Sequence, residues 1–194
     1  MEGGGDGRMK KLTILIDMDD VLEELTAAWV AEINRIYGTS VRPEDIVSWE
    51  IADFFPTLTT EQVFSPLHCP EFWSTLVPTQ DAPDIVKRLL DDGHTIRIVT
   101  ASHYNTVAPK IAWLLSAYPY LKWEDIIIAS DKSVIRGDVM IDDGVHNLET
   151  TSCIKLLFDR YHNHAYNAEA NDMIRVKTWS EIYHIIFNLA GGTE

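Results

Sequence analysis

The sequence has little cysteine and little positive charge. Its two cysteines, Cys69 and Cys153, form no C-x-x-C pair, which argues against a disulfide framework or a zinc cluster and is typical of the reducing cytosol. Sixteen Lys and Arg stand against thirty Asp and Glu, a formal charge of −14. That balance argues against a nucleic-acid polymer or an anionic membrane surface as a partner. We therefore expect a cytoplasmic protein that binds neither.

Long apolar runs are also absent. No run approaches the roughly 18 residues that span a bilayer. The first apolar run, residues 12–16, ends at once in Asp17 and cannot be the core of a signal peptide. Hydrophobic residues still make up 46% of the 194 positions, which is enough for one domain, or for one domain with an insertion. The glycine-rich start, residues 1–9, is predicted to be a flexible leader.

Short apolar runs alternate with helical patterns along most of the chain. Each run is apolar on both faces, which is typical of buried parallel strands. The runs cover residues 12–16, 96–99, 126–129, 139–141, 155–158 and 173–176. Their alternation with helices predicts an α/β fold, a three-layer sandwich in which helices cover both faces of a parallel sheet.

One long stretch, residues 23–77, interrupts this alternation. It contains no good strand, and its patterns predict helices over residues 23–37, 43–55 and 59–64. We interpret it as a small helical cap inserted after the first strand. The catalytic core would then consist of residues 10–22 and 78–194.

Carboxylates follow two of the predicted strands. Asp17, Asp19 and Asp20 come directly after the first, and Asp142 and Asp143 end the fourth. The carboxyl ends of strands in an open parallel sheet form the ligand crevice, so the two groups would meet at one edge. Mg²⁺ takes oxygen ligands from a few carboxylates and retains waters or substrate phosphate. The pair of clusters therefore predicts a divalent-metal site, although either alone could be a solvated acidic loop.

Two further strand ends carry groups that bind phosphate. The second run leads into Thr100 and Ser102, whose hydroxyls suit phosphate oxygens. For Ser102 we favour capping of the next helix or a mixed role. Lys132 follows the third run. A lysine alone is more often a surface residue, but its position just after a strand places it at the same rim.

These residues form four short motifs in a fixed order. The motifs are Asp17-x-Asp19-x-Val21, Thr100, Lys132 and Asp142-Asp143. Together they resemble the motifs of the haloacid dehalogenase (HAD) superfamily of phosphohydrolases, from residue 11 to the end of the chain. Asp131-Lys132-Ser133 with Asp142-Asp143 ten residues on, and the run 141–148, resemble the 5′(3′)-deoxyribonucleotidase family, in particular its bacterial and phage members. The resemblance implies a Rossmann-like core sheet with a cap after the first motif.

The resemblance also implies a mechanism. Asp17 would be the nucleophile that forms an aspartyl-phosphate, and Asp19 would give a proton to the leaving oxygen and later take one from water. Mg²⁺ would be held by the Asp17 carboxylate, the Asp19 main-chain carbonyl and Asp142. Thr100 and Lys132 would hold the phosphoryl oxygens, and Asp143 would support the metal waters or Lys132.

Three positions depart from the mammalian pattern of the family. Asp20 stands where those members have Gly, Leu25 where they have Phe, and Ser130 where they have Arg. These positions concern the fit to base and sugar. Leu25 would face the sugar and disfavour a 2′-hydroxyl. Trp49 and Phe72 are predicted to line the substrate pocket, whereas Trp29, Trp113 and Trp179 are predicted to be core.

The substrate predicted in this way is a nucleoside 5′- or 3′-monophosphate, preferably a deoxyribonucleotide. Three alternatives stay open: a HAD phosphatase for another small ester such as a sugar phosphate, a phosphotransferase, and a nucleotide-binding protein without turnover. A homodimer also stays open. His162 and His164 are interpreted as part of a polar loop rather than as metal ligands, and His146 and Asn147 either support the site or begin a helix.

Overall fold

Six parallel strands form the centre of the molecule in a computed structural model that describes residues 9–192. The strands are β1 (Thr13–Ile16), β2 (Thr95–Thr100), β3 (Ile126–Ile128), β4 (Val139–Asp142), β5 (Ile154–Phe158) and β6 (Met173–Val176). Their order in the sheet is β3-β2-β1-β4-β5-β6. β1 therefore lies between β2 and β4, with Ile14 opposite Ile96 on one side and Val139 on the other. All six predicted strands are present.

Helices cover both faces of this sheet. They are α1 (Leu25–Tyr37), α2 (Thr60–Phe64), α3 (Pro70–Trp73), α4 (Ala82–Asp91), α5 (Val107–Ala117), α6 (Val145–Thr150) and α7 (Trp179–Leu189). On one face, Leu15 and Met140 pack with Leu148 of α6. On the other, alternate strand residues pack with α4, α5 and α7 in a larger apolar cluster. Burial of both sheet faces explains why the strands are apolar throughout, and the predicted three-layer α/β sandwich is confirmed.

Residues 23–77, which we call the helical insertion, contribute no strand to the sheet. They form α1, α2, α3 and three 3₁₀ turns, Pro43–Asp45, Ile51–Phe54 and Ser65–His68. The single helix predicted over residues 43–55 is wrong, because two of these turns stand in its place. The Asp45 carboxylate accepts the Arg42 backbone N–H and closes the first turn. Ile46 is buried whereas Val47 and Trp49 are exposed, so the segment lacks the continuous apolar stripe of a packed helix.

The predicted leader, residues 1–9, lies outside the described residues except for Met9. Met9 packs against the larger apolar cluster and so belongs to the fold. Among residues 9–192, no helix has both the length and the apolar character needed to cross a membrane.

Candidate active site

The ends of β1 and β4 bring two carboxylates together. The Asp17 backbone N–H donates to the Ile141 carbonyl at 2.9 Å, which continues the parallel pairing of the two strands by one residue. Asp17 and Asp142 therefore leave the sheet side by side, as the sequence predicted from the strand ends. Both side chains are buried, and Asp143 next to them is buried as well.

Lys132 lies between these carboxylates. Its Nζ is 2.7 Å from Asp17 Oδ1 and 2.7 Å from Asp142 Oδ2, and only 3% of the residue is exposed. Burial disfavours the ammonium, but the charges of Asp17 and Asp142 outweigh burial and raise the pKa of Lys132. Lys132 is therefore charged at neutral pH. Its position agrees with the prediction that it lies at the same edge of the sheet as the carboxylates.

The single positive charge of Lys132 does not balance the negative charges of the carboxylates around it. Burial raises the pKa of Asp17 well above its usual range, Lys132 opposes that rise, and the neighbouring Asp142 adds to it. Burial likewise raises the pKa of Asp142. The Asp142 carboxylate also accepts hydrogen bonds from the Gly144 N–H at 2.8 Å and from Asn147 Nδ2 at 3.0 Å. Asn147 thus supports the site from the first turn of α6, which begins at Val145.

Asp17, Asp142 and Asp143 can hold a metal ion between them. One carboxylate oxygen from each lies within 4.8 Å of the others, and Asp143 Oδ1 is buried with no hydrogen-bond partner among the described residues. Three buried carboxylates with an unsatisfied oxygen fit a hard divalent cation. We name these three residues the carboxylate cluster. Asp20, Asp143 and His162 form a second grouping, in which one ligand atom from each residue also lies within 4.8 Å of the others.

The loop after β1 is held in a bent conformation. Asp20 has a φ of 54°, in the left-handed region that Asp adopts more readily than most residues. Its carboxylate accepts the Thr26 N–H at 3.0 Å and the Thr26 hydroxyl at 2.5 Å, which fixes the loop to the start of α1. Burial, and then the charge of Asp143, raises the pKa of Asp20 to about 6.

A cavity of about 280 Å³ opens beside the carboxylate cluster, near the lower end of small-molecule sites. Its walls combine charged residues from the sheet edge with apolar and aromatic residues from the helical insertion. They are Asp17, Asp19, Asp20, Leu25, Thr26, Trp29, Ile46, Ser48, Trp49, Ile51, Phe64, Leu67, Ala101, Ser130, Lys132, Asp143, His146, Asn147 and His162. The cavity therefore offers both charged and apolar surface to a ligand.

Of the residues predicted to bind substrate, Leu25, Trp49 and Lys132 line this cavity. Trp49 is 54% exposed, and its ring packs edge-on against His146 at 4.7 Å and against His162 at 5.3 Å. Trp49 thus brings the helical insertion into contact with two histidines of the core that also line the cavity. Trp29, predicted to be core, is buried but also lines the cavity.

Two of the residues predicted to bind substrate, Phe72 and Ser102, do not line the cavity. Phe72 is only 4% exposed, packs against Trp73 and is not among the residues that line the cavity. It follows Pro70 in the short helix α3, whose apolar side is used for packing. Ser102 is also not among the lining residues. Its hydroxyl forms a hydrogen bond with the Thr106 hydroxyl at 3.1 Å, so it braces the approach to α5 instead.

Thr100 lies at the end of β2 as predicted, with its side chain fully buried. Its hydroxyl donates to the Ala101 carbonyl at 3.2 Å, and Ala101 rather than Thr100 lines the cavity. Rotation of the Thr100 side chain would be needed to present the hydroxyl to a phosphate.

His162 and His164 both lie in the segment after β5, where a polar loop was predicted, but their surroundings differ. His164 is exposed and pairs with Asp159, whereas the His162 side chain is mostly buried and its Nε2 is 3.1 Å from Asp143 Oδ2. Burial lowers the pKa of His162, but Asp143 outweighs burial and raises it. Nothing in the local sequence marks this contact, because Asp143 and His162 lie at the ends of different strands.

Sequence reasoning also missed Lys110 and Arg160. Lys110 is buried in α5 and pairs with Asp19. A lysine on the helix face that also carries Trp113 and Leu114 was the available signal. The Arg160 guanidinium donates to both oxygens of Glu24 and to the Asp20 carbonyl, which ties the segment after β5 to the loop after β1.

Comparison with solved structures places this fold in a class. The structure matches a HAD family hydrolase from Deinococcus radiodurans, solved with bound phosphate and sodium, with a TM-score of 0.62 at 16% identity over 96% of this chain and 98% of that one. It matches a magnesium-bound HAD-hydrolase from Bacillus subtilis with a TM-score of 0.58 at 13% identity over 91% of this chain and 99% of that one. The chain therefore has the fold of the HAD hydrolases.

Sequence comparison identifies the family within that class. Residues 10–190 match the family described as "5' nucleotidase, deoxy (Pyrimidine), cytosolic type C protein". A 5'(3')-deoxyribonucleotidase of Bacillus subtilis is 34% identical over 175 residues, covering 90% of this chain and 97% of the relative. One from Clostridium acetobutylicum is 31% identical over 173 residues, covering 89% and 93%. The chain belongs to this family of phosphoric monoester hydrolases, which confirms the resemblance seen in the motifs.

Proposed function

We propose that this protein hydrolyses nucleoside 5′- or 3′-monophosphates, preferably deoxyribonucleotides, with Mg²⁺ and through an aspartyl-phosphate on Asp17. The observation that carries the proposal is the mixed lining of the cavity. The carboxylate cluster and Lys132 suit a phosphate, and Trp49, which lines the same cavity, offers a flat apolar face to a base. The names of the relatives support the same substrate class.

The donor set fits Mg²⁺. Asp17 and Asp142 would hold it by their carboxylates and Asp19 by its main-chain carbonyl, and the unsatisfied Asp143 Oδ1 would accept from a metal-bound water. When bound, the ion supplies positive charge that reduces the repulsion between Asp17 and the substrate phosphate.

The reaction then needs two proton transfers at Asp19. An Asp17 oxygen attacks phosphorus, the bond from phosphorus to the nucleoside oxygen breaks, and Asp19 donates a proton to that oxygen. Water next attacks the aspartyl-phosphate, Asp19 takes a proton from it, and inorganic phosphate leaves with Asp17 restored. Both residues line the cavity, as the two roles require.

Lys132 and Thr100 would hold the phosphoryl oxygens during both steps. Lys132 is buried and charged, so it can stabilise the negative charge of the transferring group without reorganisation. Asp143 would keep Lys132 and the metal waters in place. The Thr100 role requires the side-chain rotation described above.

The helical insertion would act as the cap over the substrate. Leu25 and Trp29 form an apolar wall near the Asp-rich loop, where a ribose 2′-hydroxyl would lose its hydrogen bonds to water. This is the reason to propose deoxyribonucleotides over ribonucleotides, and the small cavity favours pyrimidines over purines. The two free cysteines support a cytosolic location.

A panel of phosphate esters assayed in Mg²⁺ tests this proposal. We expect kcat/KM to be highest for pyrimidine deoxynucleoside monophosphates, lower for ribonucleotides and lowest for sugar phosphates. A preference for sugar phosphates would overturn the nucleotide assignment. Binding without phosphate release would overturn hydrolysis, and phosphate transfer to an added alcohol in place of water would make the protein a phosphotransferase.

Removing the Trp49 ring tests the proposed contact with the base. We expect Trp49→Ala to lower kcat/KM for deoxynucleoside monophosphates by about 10- to 100-fold, since stacking on an aromatic ring contributes roughly 1–3 kcal/mol per base. Hydrolysis of a small phosphate ester without a base should change by less than about threefold. Steady-state kinetics on the two substrates measures the difference.

Trp123→Ala is a matched control, because Trp123 is 58% exposed but is not among the residues that line the cavity. It should leave both rates near those of the wild type. Parallel losses on both substrates in Trp49→Ala would show that Trp49 supports the fold or the closed cap and does not bind the base.

A further inference from the structure

A buried lysine outside the cavity contacts the proposed proton donor. Lys110 lies in α5 and only 1% of it is exposed. Its Nζ is 2.6 Å from Asp19 Oδ2 and 3.1 Å from the Ala101 carbonyl oxygen, and it lies 5.4 Å from the centre of the Trp73 ring. Burying an ammonium is costly unless it is paired, so these partners are what make the position tolerable.

Packing alone does not account for a lysine here. Lys110 occupies the buried side of α5 with Trp113 and Leu114, where a leucine or methionine would fill the space without a charge to desolvate. The ammonium instead reaches two oxygens on different segments of the site. Asp19 follows β1, and Ala101 directly follows the proposed phosphate ligand Thr100.

The contact with Lys110 places the two carboxylate oxygens of Asp19 in different surroundings. Oδ2 accepts from Lys110, whereas Oδ1 is buried and forms no hydrogen bond of normal geometry among the described residues. The buried Glu23 carboxyl also lies beside Asp19, and burial and the charge of Asp19 raise the pKa of Glu23. Lys110 is not among the residues that line the cavity, so it would act on substrate only through Asp19. Holding one oxygen leaves the other as the one that carries the transferred proton.

We infer that Lys110 is a positioning residue, which fixes the Asp19 carboxyl group against the leaving oxygen by holding Oδ2 and anchoring it to the Ala101 carbonyl. This inference rests on the proposed role of Asp19 as proton donor. A displaced catalytic group loses much of its effect, and an error of about 1 Å can cost about 100-fold in rate.

Lys110→Met tests the inference, because methionine keeps much of the buried apolar length and removes the ammonium. We expect kcat/KM for a deoxynucleoside monophosphate to fall by about 30- to 100-fold. For an aryl phosphate, whose leaving group needs no proton, the loss should be about threefold or less. kcat/KM is the quantity to compare because it reports formation of the aspartyl-phosphate and not its hydrolysis.

A double variant separates action through Asp19 from any other role. Asp19→Asn should itself lower nucleotide turnover by about 100-fold or more. If Lys110 acts only through Asp19, adding Lys110→Met should lower it by less than about a further threefold. Full additivity of the two losses would overturn the inference.

Lys87→Met is the matched control, since Lys87 forms a lysine–carboxylate pair with Asp91 on the exposed side of α4. It should leave both activities unchanged. Retained aryl phosphatase activity reports that Lys110→Met is folded. If that variant does not fold, Lys110→Arg replaces it, because arginine keeps the charge but moves the donor. It should show a smaller loss of nucleotide hydrolysis, again without a matching loss on the aryl phosphate.

Equal losses on both substrates would assign Lys110 to folding or to phosphate binding and overturn the positioning role. No loss on either would overturn it as well. In both cases wild-type turnover of nucleotides leaves the proposed function intact. Absence of wild-type nucleotide turnover would instead overturn the proposed function, and the inference with it.

Discussion

Asp17→Asn is expected to lower phosphate release from nucleotides by at least about 10⁴-fold, because an amide cannot form the aspartyl-phosphate. The side chain keeps its size, and the amide can still accept from Lys132, which also keeps its 2.7 Å contact with Asp142. The loss should therefore be in kcat for every phosphate ester, independent of the leaving group. Initial rates of phosphate release measure it.

The same variant should be at least as stable as the wild type when a chelator is present. The pKa of Asp17 is raised by burial, so its charged form is disfavoured in the folded protein, and a neutral amide removes that cost at neutral pH. Thermal unfolding in the chelator checks this. The exposed Asp91→Asn is a control for substitution as such. Near wild-type turnover in Asp17→Asn would rule out the covalent mechanism.

The sequence was sufficient to predict that Asp17 and Asp142 meet. Two strands that are apolar on both faces must lie inside a parallel sheet, and acids at their carboxyl ends then share one edge. The structure has β1 and β4 as neighbours with Asp17 bonded to the Ile141 backbone. The central part of the site can be predicted from sequence because the prediction requires only local apolar patterns and one rule of sheet topology.

Contacts between distant segments could not be predicted in the same way. Lys110 lies 91 positions from Asp19, and only the packing of α5 against the sheet brings the two together. His162 meets Asp143 for a similar reason. In the helical insertion, Phe72 and Trp49 are both aromatic and neither position shows a decisive pattern, yet one is buried and the other exposed. Tertiary packing decides which of them faces the cavity.

The second large effect is expected on removal of the metal ion, and it follows from the charge of the site. Asp17, Asp142 and Asp143 are buried within reach of a common ion, and Lys132 is the cation paired with the first two. A phosphate dianion brought into this site would meet a net negative charge, and repulsion in a desolvated site is stronger than in water. A divalent cation is the simplest way to reverse that field.

Removal of divalent ions with a chelator is therefore expected to lower nucleotide hydrolysis by at least about 100-fold, since metal ions contribute several kcal/mol to such transition states. Added Mg²⁺ should restore the activity. Ca²⁺ should inhibit, because it prefers more ligands at longer and looser distances than a compact three-carboxylate site offers. Phosphate release after metal titration into the chelated protein measures all three effects.

Asp142→Asn provides the corresponding change within the protein. It replaces one charged oxygen with an amide, so half-maximal activity should require at least about tenfold more Mg²⁺. The exposed Asp131→Asn is the matched control, because the Asp131 carboxylate accepts from Ser133 in the adjacent turn and Asp131 is not among the residues that line the cavity. Its Mg²⁺ requirement should equal that of the wild type. Full activity in the chelator would contradict a metal at the carboxylate cluster. An unchanged Mg²⁺ requirement in Asp142→Asn would instead place the ion elsewhere, with the Asp20, Asp143 and His162 grouping as the next set to substitute.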